Sequence, residues 1–484
     1  MASTPSILLV ACNARYGHCA YAARSLAASL AEHGLAASIL ETDLDVQPFQ
    51  LAAEIVSRQP RVCGFSVYLW NVRQVRETLA ILQRVAPGVR IVLGGPEIVP
   101  GCECVWRGLA DDLVAGEGEL AFRELCGQAV GAPVAECRAQ LPKSAGSTPR
   151  LVVAPPPALT DLALPYDLYS DEDLAHRTLY AEGTRGCPFT CAYCSSAGSA
   201  LRAFPPERLL PALDRLLARG ARALRFLDRS LNADEPQACA LLDFFLARHP
   251  GRVRLHFEIM PCRLGNGLRE RLAAFPAGSL HLEVGVQTLH EPAARAVGRR
   301  TPTAVVLETL QFLARDTRAT VHADLIFGLP GEDERTFAAG FDLLVRTFDF
   351  PELQVNLLKR LPGTPLACAP QFAGLVFNPH PPYELLASDA LDFDAIVRLQ
   401  GFARCWELVH NRGRFPRAAA SLWQGDGVSP YARYLALSQR ILAAEGRLHA
   451  LGAERLAGHL AGFLATDGRL PGAEIEALLA ADRG

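Results

Sequence analysis

A chain of 484 residues, half of them hydrophobic and a fifth charged, has the balance of a globular protein with roughly two to four domains. Its net charge is −3 and it contains no basic run, which argues against nucleic acid or another polyanion as its main partner. No apolar run reaches bilayer-spanning length, Met1–Ser6 carries no positive charge ahead of an apolar stretch, and fourteen scattered cysteines read as reduced thiols, so the expected setting is the cytoplasm, with no membrane partner.

Residues 1–130 alternate short apolar runs with helical patterns. Ser6–Cys12, Ala36–Thr42, Val62–Leu69, Arg90–Gly94 and Asp112–Ala115 read as strands. Helices are expected over Cys19–His33, Leu51–Arg58, Val72–Ala86, Pro100–Leu109 and Leu120–Val130. Such alternation predicts an α/β, doubly wound parallel sheet, a fold that binds ligands beyond the carboxyl ends of its strands. Unusual residues cluster at those ends. Asn13, Tyr16, Gly17 and His18 follow the first strand; Ser66, Trp70 and Asn71 end the third; Gly94 and Gly95 end the fourth; Gly116 and Glu117 end the fifth. Gly-Gly-Pro is also a good turn and Gly-Glu-Gly a good helix entry, yet four such ends on one edge outline a site for a sizeable ligand with polar arms. The first loop is not the G-x-G-x-x-G of a dinucleotide fold.

Residues 131–177 read as a linker. Pro133, Pro142, Pro149 and Pro155–Pro157 prevent a continuous helix, and Leu162–Tyr169 reads as a docked extended segment that either clamps two domains or merely joins them.

Residues 178–365 form a second βα series, opened by Gly183-Thr-Arg-Gly-Cys187-Pro-Phe-Thr-Cys191-Ala-Tyr-Cys194. Most cubane iron–sulfur clusters take four thiolates, so three in one tight loop predict a cluster whose fourth iron is open to a small molecule. A structural zinc site wants four ligands, and no second C-x2-C or H-x3-H pair stands nearby. Strands are expected at Thr178–Ala181, Leu224–Leu227, Arg254–Ile259, Leu280–Val286, Ala319–Phe327 and Leu353–Leu358. Six parallel strands with polar ends suit an open (β/α)6 barrel with its chemistry at the carboxyl ends. Asp228, Asn232, Glu258, Glu283, Gln287, Arg300 and Asp324 are the polar residues there, although a strand-borne carboxylate is often only a satisfied core group. Residues 366–484 read as helical, with long helices over Leu391–His410 and Pro430–Ala450, and are expected to cover the barrel mouth; Tyr383 and Glu384 are candidates to face it.

The cysteine loop, including the aromatic Tyr193 before its third cysteine, resembles that of the radical S-adenosylmethionine (radical SAM) enzymes. The ends N-A-R-Y-G-H, G-F-S-x-Y-x-W-N, L-G-G-P and G-E-G-E resemble the cobalamin-binding domain found ahead of many of them. The resemblance runs from about Ser6 to Phe415, including a Pro382-Tyr-Glu-Leu385 stretch of one branch whose C-terminal domain has no assigned role. It implies a 4Fe-4S cluster on Cys187, Cys191 and Cys194, whose open iron chelates SAM and cleaves it to a 5′-deoxyadenosyl radical. It further implies Asp228 and Asn232 near the SAM amino group, Glu258, Glu283 and Gln287 near its ribose and methionine, Arg300 within Arg299-Arg300-Thr301 as the R-x-T turn after strand four, and Asp324 near adenine. Cobalamin would occupy the first domain. The chain lacks the D-x-H-x-x-G of domains that ligate cobalt through histidine, so His18 reads as a capping or packing group within the cobalamin loop.

Together these expectations describe a cobalamin-dependent radical SAM enzyme, foremost a C-methyltransferase. Its substrate would be a small molecule or biosynthetic intermediate, and its electron donor a flavodoxin or ferredoxin. Ring contraction, oxidation or cyclisation is the alternative outcome, and a non-catalytic cobalamin sensor or carrier the alternative class. A tRNA methylthiotransferase is set aside, because neither an N-terminal cysteine set for a second cluster nor a basic RNA-binding tail is evident.

Overall fold

The Ile7–Cys12 run is buried along its whole length, as a central strand covered by helices on both faces must be. In the computed structural model, which describes residues 6–131, 147–423, 427–467 and 470–483, it forms β1 (Ile7–Asn13) of a six-stranded parallel sheet. β2 (Ala37–Asp43), β3 (Val62–Ser66), β4 (Arg90–Gly94), β5 (Asp112–Gly116) and β6 (Arg150–Ala154) complete it, in the order β2-β1-β3-β4-β5-β6. The order reverses between β1 and β3, and a doubly wound sheet opens its ligand crevice at that switch point.

Two expectations fail in this half. The stretch read as a linker contributes β6, paired in parallel with β5 from Asp112↔Arg150 to Gly116↔Ala154. Its β-branched Val152 and Val153 favour a strand, and the prolines on either side mark its ends. Pro100–Leu109 is a run of turns instead of a helix, since Gly101 and Gly108 take φ of +95° and +70° and break the helical backbone. Of the linker prolines, Pro133 and Pro142 lie outside the described residues.

The second sheet matches the expected barrel strands to within a residue or so. β7 (Leu179–Ala181) enters it, and a hairpin of β8 (Thr184–Cys187) and β9 (Ser199–Ala203) carries the cysteine loop. β10 (Ala223–Phe226), β11 (Arg254–Ile259), β12 (Leu280–Gln287), β13 (Thr320–Phe327) and β14 (Glu352–Leu357) follow, in the order β14-β13-β12-β11-β10-β7. The strictly alternating burial of β12 separates side chains packed under the helices from those facing the barrel interior.

The Leu162–Tyr169 segment clamps the domains. Tyr166 and Tyr169 are each 1 % exposed, and Tyr169 Oη donates to the Tyr180 carbonyl at 2.7 Å while accepting from the Tyr180 N–H at 3.0 Å. Just beyond, Asp173 and Arg177 join Arg24 and Glu41 of the first domain in a buried ion-pair cluster with contacts of 2.7–3.0 Å.

The C-terminal helices do not cap the barrel mouth. Phe393–Trp406, its π-helical continuation Glu407–Asn411, and Pro430–Glu445 pack on Glu334–Thr347 through Phe337, Phe341, Phe402, Trp406 and Tyr431. Trp406 Nε1 donates to the Leu353 carbonyl at 2.7 Å and Asn411 Oδ1 accepts from the Leu353 N–H at 3.2 Å. The helices thereby satisfy backbone groups of edge strand β14. Among the described residues no helix is long and apolar enough to cross a membrane.

Candidate functional site

The cysteine loop is held by its hairpin. Arg185 pairs with Arg202 and Cys187 with Ser199, with a bulge at Gly186. Gly186 has φ +93°, and a Cβ there would lie 2.1 Å from the Ala200 carbonyl oxygen, so both conformation and space demand glycine. Gly186→Ala is expected to distort the hairpin and cut iron incorporation on reconstitution several-fold, read as iron per chain.

From the other side the turn after β12 is stitched to the loop. Ala192 N–H donates to the Val297 carbonyl at 2.9 Å, Thr190 Oγ1 to the Gly298 carbonyl at 3.3 Å, and Leu366 N–H to the Ala192 carbonyl at 2.8 Å. Cys187 and Cys191 are buried, Cys194 is half-buried, and all three are free thiols. Burial pushes the Cys187 and Cys194 thiols up, a cost that ligation to iron would remove. Among the described residues no three His, Cys, Asp or Glu side chains converge on one point as a single ion requires. The thiolates of a cubane bind separate irons and need no such convergence, so the loop fits a cluster better than zinc.

The carboxyl ends of both sheets open into one cavity of about 660 Å³, lined by Gly94–Glu97 and Gly116–Glu119 on one side and by Thr184–Gly186, Ser195, Leu227 and Arg229 on the other. A second space of about 520 Å³ adjoins it, sharing Tyr68, Trp70, Glu182 and Leu227, and reaches Asn13, His18, Arg225 and Glu258. Gly94 and Gly95 line the cavity; Gly95 takes φ +106°, and a Cβ there would meet the Val67 carbonyl oxygen at 2.5 Å, so the β4 end packs flush against the β3 end. A large ligand with a tail laid between the β3, β4 and β5 ends fits this cradle.

The residues of the first loops divide into those that line the space and those that build it. Trp70 is 48 % exposed, stacks on Tyr68 at 4.4 Å, and donates its Nε1–H to the Cys12 carbonyl at 3.1 Å. Asn71 is 1 % exposed and spends its side chain on Cys12, Ser66 and Tyr68 backbone groups. Asn13 Nδ2 ties the His18 carbonyl at 2.8 Å, and Gly17 O accepts from Thr178 N–H at 2.8 Å. Tyr16 stands on the outer surface, bonded to Glu172 and packed under Arg177. His18 Nδ1 meets Tyr180 Oη at 2.7 Å; burial, with Arg225, Arg15 and Arg177 nearby, lowers its pKa and keeps the ring neutral at pH 7.

The barrel residues divide similarly. Asp228 is buried and accepts from Gly183 N–H and Thr184 Oγ1, both at 2.8 Å, so it shapes the entry to the cysteine loop; burial pushes its carboxyl up to about 6. Asn232 bridges the Met260 backbone and the Cys262 thiol. Glu283 is taken by Arg225 at 2.7 Å and His256 at 3.0 Å, which hold it down to about 2 against the cost of burial. Asp324 lies 3.4 Å from His322. Gln287 sits at the β12 bulge with φ +68°. Glu258 faces the second space with no hydrogen-bond partner among the described residues, and burial, reinforced by Glu283, pushes it up to about 7. Arg300 is exposed. Its neighbour Arg299 turns inward, donating to Cys191 Sγ at 3.6 Å and Tyr193 Oη at 3.5 Å.

Arg185 is a residue that the sequence did not single out as a site. From the cysteine hairpin it reaches Glu119 at 2.7 Å, Glu117 at 2.8 Å and Glu182 at 3.0 Å, and Arg202 adds a second contact to Glu117. Two of these carboxylates belong to the G-E-G-E end of β5, so the ion pairs cross between the domains. Tyr383 makes a further crossing, donating to Glu97 at 2.9 Å.

Comparison with known proteins follows the same division. Residues 7–126 match the B12 binding domain and residues 182–344 the radical SAM superfamily. The chain is 26 % identical over 404 residues, 75 % of its length and 58 % of the other's, to the 2-(S-pantetheinyl)-carbapenam-3-carboxylate methyltransferase of Streptantibioticus cattleyicolor. It is 27 % identical over 349 residues, 66 % of its length and 50 % of the other's, to the cobalamin-dependent radical SAM methyltransferase TokK of Streptomyces tokunonensis. It thus spans only half or a little more of these curated relatives. Among solved structures, the radical SAM methyltransferase TsrM from Kitasatospora setae, with cobalamin and a [4Fe-4S] cluster bound, superposes with a TM-score of 0.59 at 20 % identity, covering 77 % of this chain and 76 % of that one. The cobalamin-dependent SAM radical enzyme OxsB, with aqua-cobalamin and SAM bound, gives 0.63 at 15 % identity over 99 % of this chain and 80 % of that one. At these identities the likeness is one of fold.

Proposed function

We propose that this chain, whose residues 7–126 match the B12 binding domain and 182–344 the radical SAM superfamily, is a cobalamin-dependent radical SAM C-methyltransferase. One observation carries the proposal: the strand ends of both domains line a single cavity, with the cysteine loop on one side and the β3–β5 ends on the other. Two cofactors that must act on one carbon need that arrangement.

Cys187, Cys191 and Cys194 would hold the cluster, Glu258 and the β11–β13 ends would border SAM, and Ser66, Trp70, Gly94, Gly95 and Gly116 would border the corrinoid. When bound, the cluster with SAM supplies one-electron hydrogen abstraction and the corrinoid supplies the methyl group. The chain binds, orients and shields. Leu227, Leu361, Pro362 and the Tyr68–Trp70 stack give the cavity apolar walls, which favour exclusion of water. Neutral His18, bonded to Tyr180, is spent on positioning the first loop against β7. Two relatives carry methyltransferase names, one of them for a carbapenam carboxylate, which supports a small-molecule or biosynthetic-intermediate substrate. Flavodoxin or ferredoxin in the cytoplasm would be the electron source.

The test is anaerobic reconstitution with iron, sulfide, cobalamin, SAM, a low-potential reductant and a carbapenam carboxylate as candidate acceptor. The expected products are 5′-deoxyadenosine together with S-adenosylhomocysteine, and an acceptor heavier by one methyl group. 5′-Deoxyadenosine without S-adenosylhomocysteine would favour ring contraction, oxidation or cyclisation, and absence of both would end the enzyme reading.

A further inference from the structure

Arg299 is 7 % exposed, and its guanidinium cannot shed its proton at any pH the fold survives. Burying a cation is costly unless an anion meets it. Among the described residues no carboxylate lies within ion-pair distance of Arg299. The groups around it are the Gly285 carbonyl at 2.5 Å, the Tyr193 hydroxyl at 3.5 Å, and the Cys191 sulfur at 3.6 Å, with the Cys262 thiol in the same neighbourhood. Of these only Cys191 becomes an anion when the site is loaded, because a thiol ligates iron as thiolate.

The surrounding backbone fixes this placement. Gly298 has φ +80°, and a Cβ there would lie 2.3 Å from the Thr190 carbonyl oxygen, so the turn lies flush against the cysteine loop. Arg299 N–H is itself bonded to the Ala294 carbonyl at 2.8 Å. The guanidinium is therefore fixed in the loop and not swung in from solvent, and Arg300, one residue on, stays outside.

We infer that Arg299 is the built-in counter-charge of the cluster, a positioning residue that acts through the Cys191 thiolate to raise the cluster's reduction potential. One-electron reduction adds one negative charge to the cluster and breaks no bond, the electron coming from the reductant. A fixed positive charge and an N–H donor aimed at a ligand sulfur both favour the more negative state. The same charge makes cluster loading stabilise the fold, since loading supplies the anion that the empty loop lacks.

The inference rests on the cluster reading of the three cysteines, and the wild-type protein tests that reading separately by its iron content and visible absorption. The experiment is an EPR-monitored titration with dithionite and mediators of reconstituted wild type, Arg299→Gln and Arg299→Lys, paired with melting curves of each protein before and after reconstitution. Arg299→Gln is expected to titrate at a more negative potential, so that where the wild-type cluster is half reduced several-fold less of the variant cluster is. Its gain in melting temperature on loading should also shrink. Arg299→Lys should recover most of both effects. If Arg299→Gln fails to take up iron while Arg299→Lys loads normally, charge is still the property required, and the inference stands. Equal potentials for wild type and a fully loaded Arg299→Gln would overturn it, as would failure of both variants to load.

Discussion

Cys191→Ala protein, reconstituted without oxygen, is expected to lose the visible absorption of the cluster and to form no 5′-deoxyadenosine above background, while binding cobalamin as the wild type does. Two remaining thiols cannot ligate three irons, and among the described residues no other donor set replaces the third. The loop itself should survive. Its backbone attachments, Ala192 to Val297, Leu366 to Ala192 and Cys194 to Cys191, do not involve the sulfur, and the substitution removes the Arg299 contact to Cys191 Sγ. The cobalamin side is built by the ends of β3, β4 and β5, which the substitution does not touch. Iron per chain, the corrinoid spectrum and chromatography of the nucleoside products read the three parts separately. Continued 5′-deoxyadenosine formation by the variant would sink the cluster assignment.

How far the sequence carried the argument depended on whether a feature was local. β1 to β5 and the barrel strands were legible because each carries a short apolar run closed by glycine or a polar residue. β6 escaped: it is a five-residue edge strand between Pro149 and Pro155, with Val153 64 % exposed, and reads as linker until β5 is beside it. The cysteine spacing announced its own chemistry, whereas the adjacent Arg299 and Arg300 are equivalent as letters. Only the left-handed Gly298, pressed on Thr190, decides which of them turns inward. A doubled arginine following a glycine was the available signal. Asp228, Asn232 and Glu283 stand at the strand ends, but their partners come from other elements, and no local pattern could show that Glu283 is claimed by Arg225 and His256, whereas Asp324 meets His322 of its own strand. Arg185 is the extreme case. Its counter-ions Glu117 and Glu119 lie more than sixty residues upstream, in a motif that read by itself suggests a ligand loop.

Arg185→Gln is expected to lower global stability by about 3–5 kcal/mol, the usual cost of removing one partner from a buried ion pair. Its side chain is 11 % exposed, and it is the cation shared by Glu119, Glu117 and Glu182, of which, among the described residues, only Glu117 has a second cation, in Arg202. Two cations among three carboxylates leave one carboxyl short. Although burial raises Glu119, Arg185 holds it below the ordinary carboxylate range, whereas burial pushes Glu182 up to about 7 despite the same guanidinium. Glu182 is thus the group that keeps a proton in the folded chain. A carboxyl whose folded pKa lies above its unfolded value stabilises fully below that unfolded value, near 4.5, and loses its contribution as pH rises through about 7. Wild-type stability should therefore contain a component that falls between those limits, and Glu182→Gln, which mimics the protonated form, should flatten it. Asp228, Glu258 and Glu332, pushed up in the same direction, remain in both proteins and cancel in the comparison. Because the node joins the β5 end to the cysteine hairpin, its loss should separate the two cofactor sites before it unfolds either. Arg185→Gln should accordingly lose coupling between methyl donation and SAM cleavage, forming 5′-deoxyadenosine with little methylated product. Adding Glu182→Gln should restore part of the stability near pH 7, because the buried carboxyl no longer has to take up a proton on folding. Urea unfolding of the four members of this cycle at pH 5, 6 and 7 measures the coupling. Additivity of the two substitutions would show that Arg185 and Glu182 do not act on one another, and a pH response left unchanged by Glu182→Gln would remove Glu182 as the proton holder.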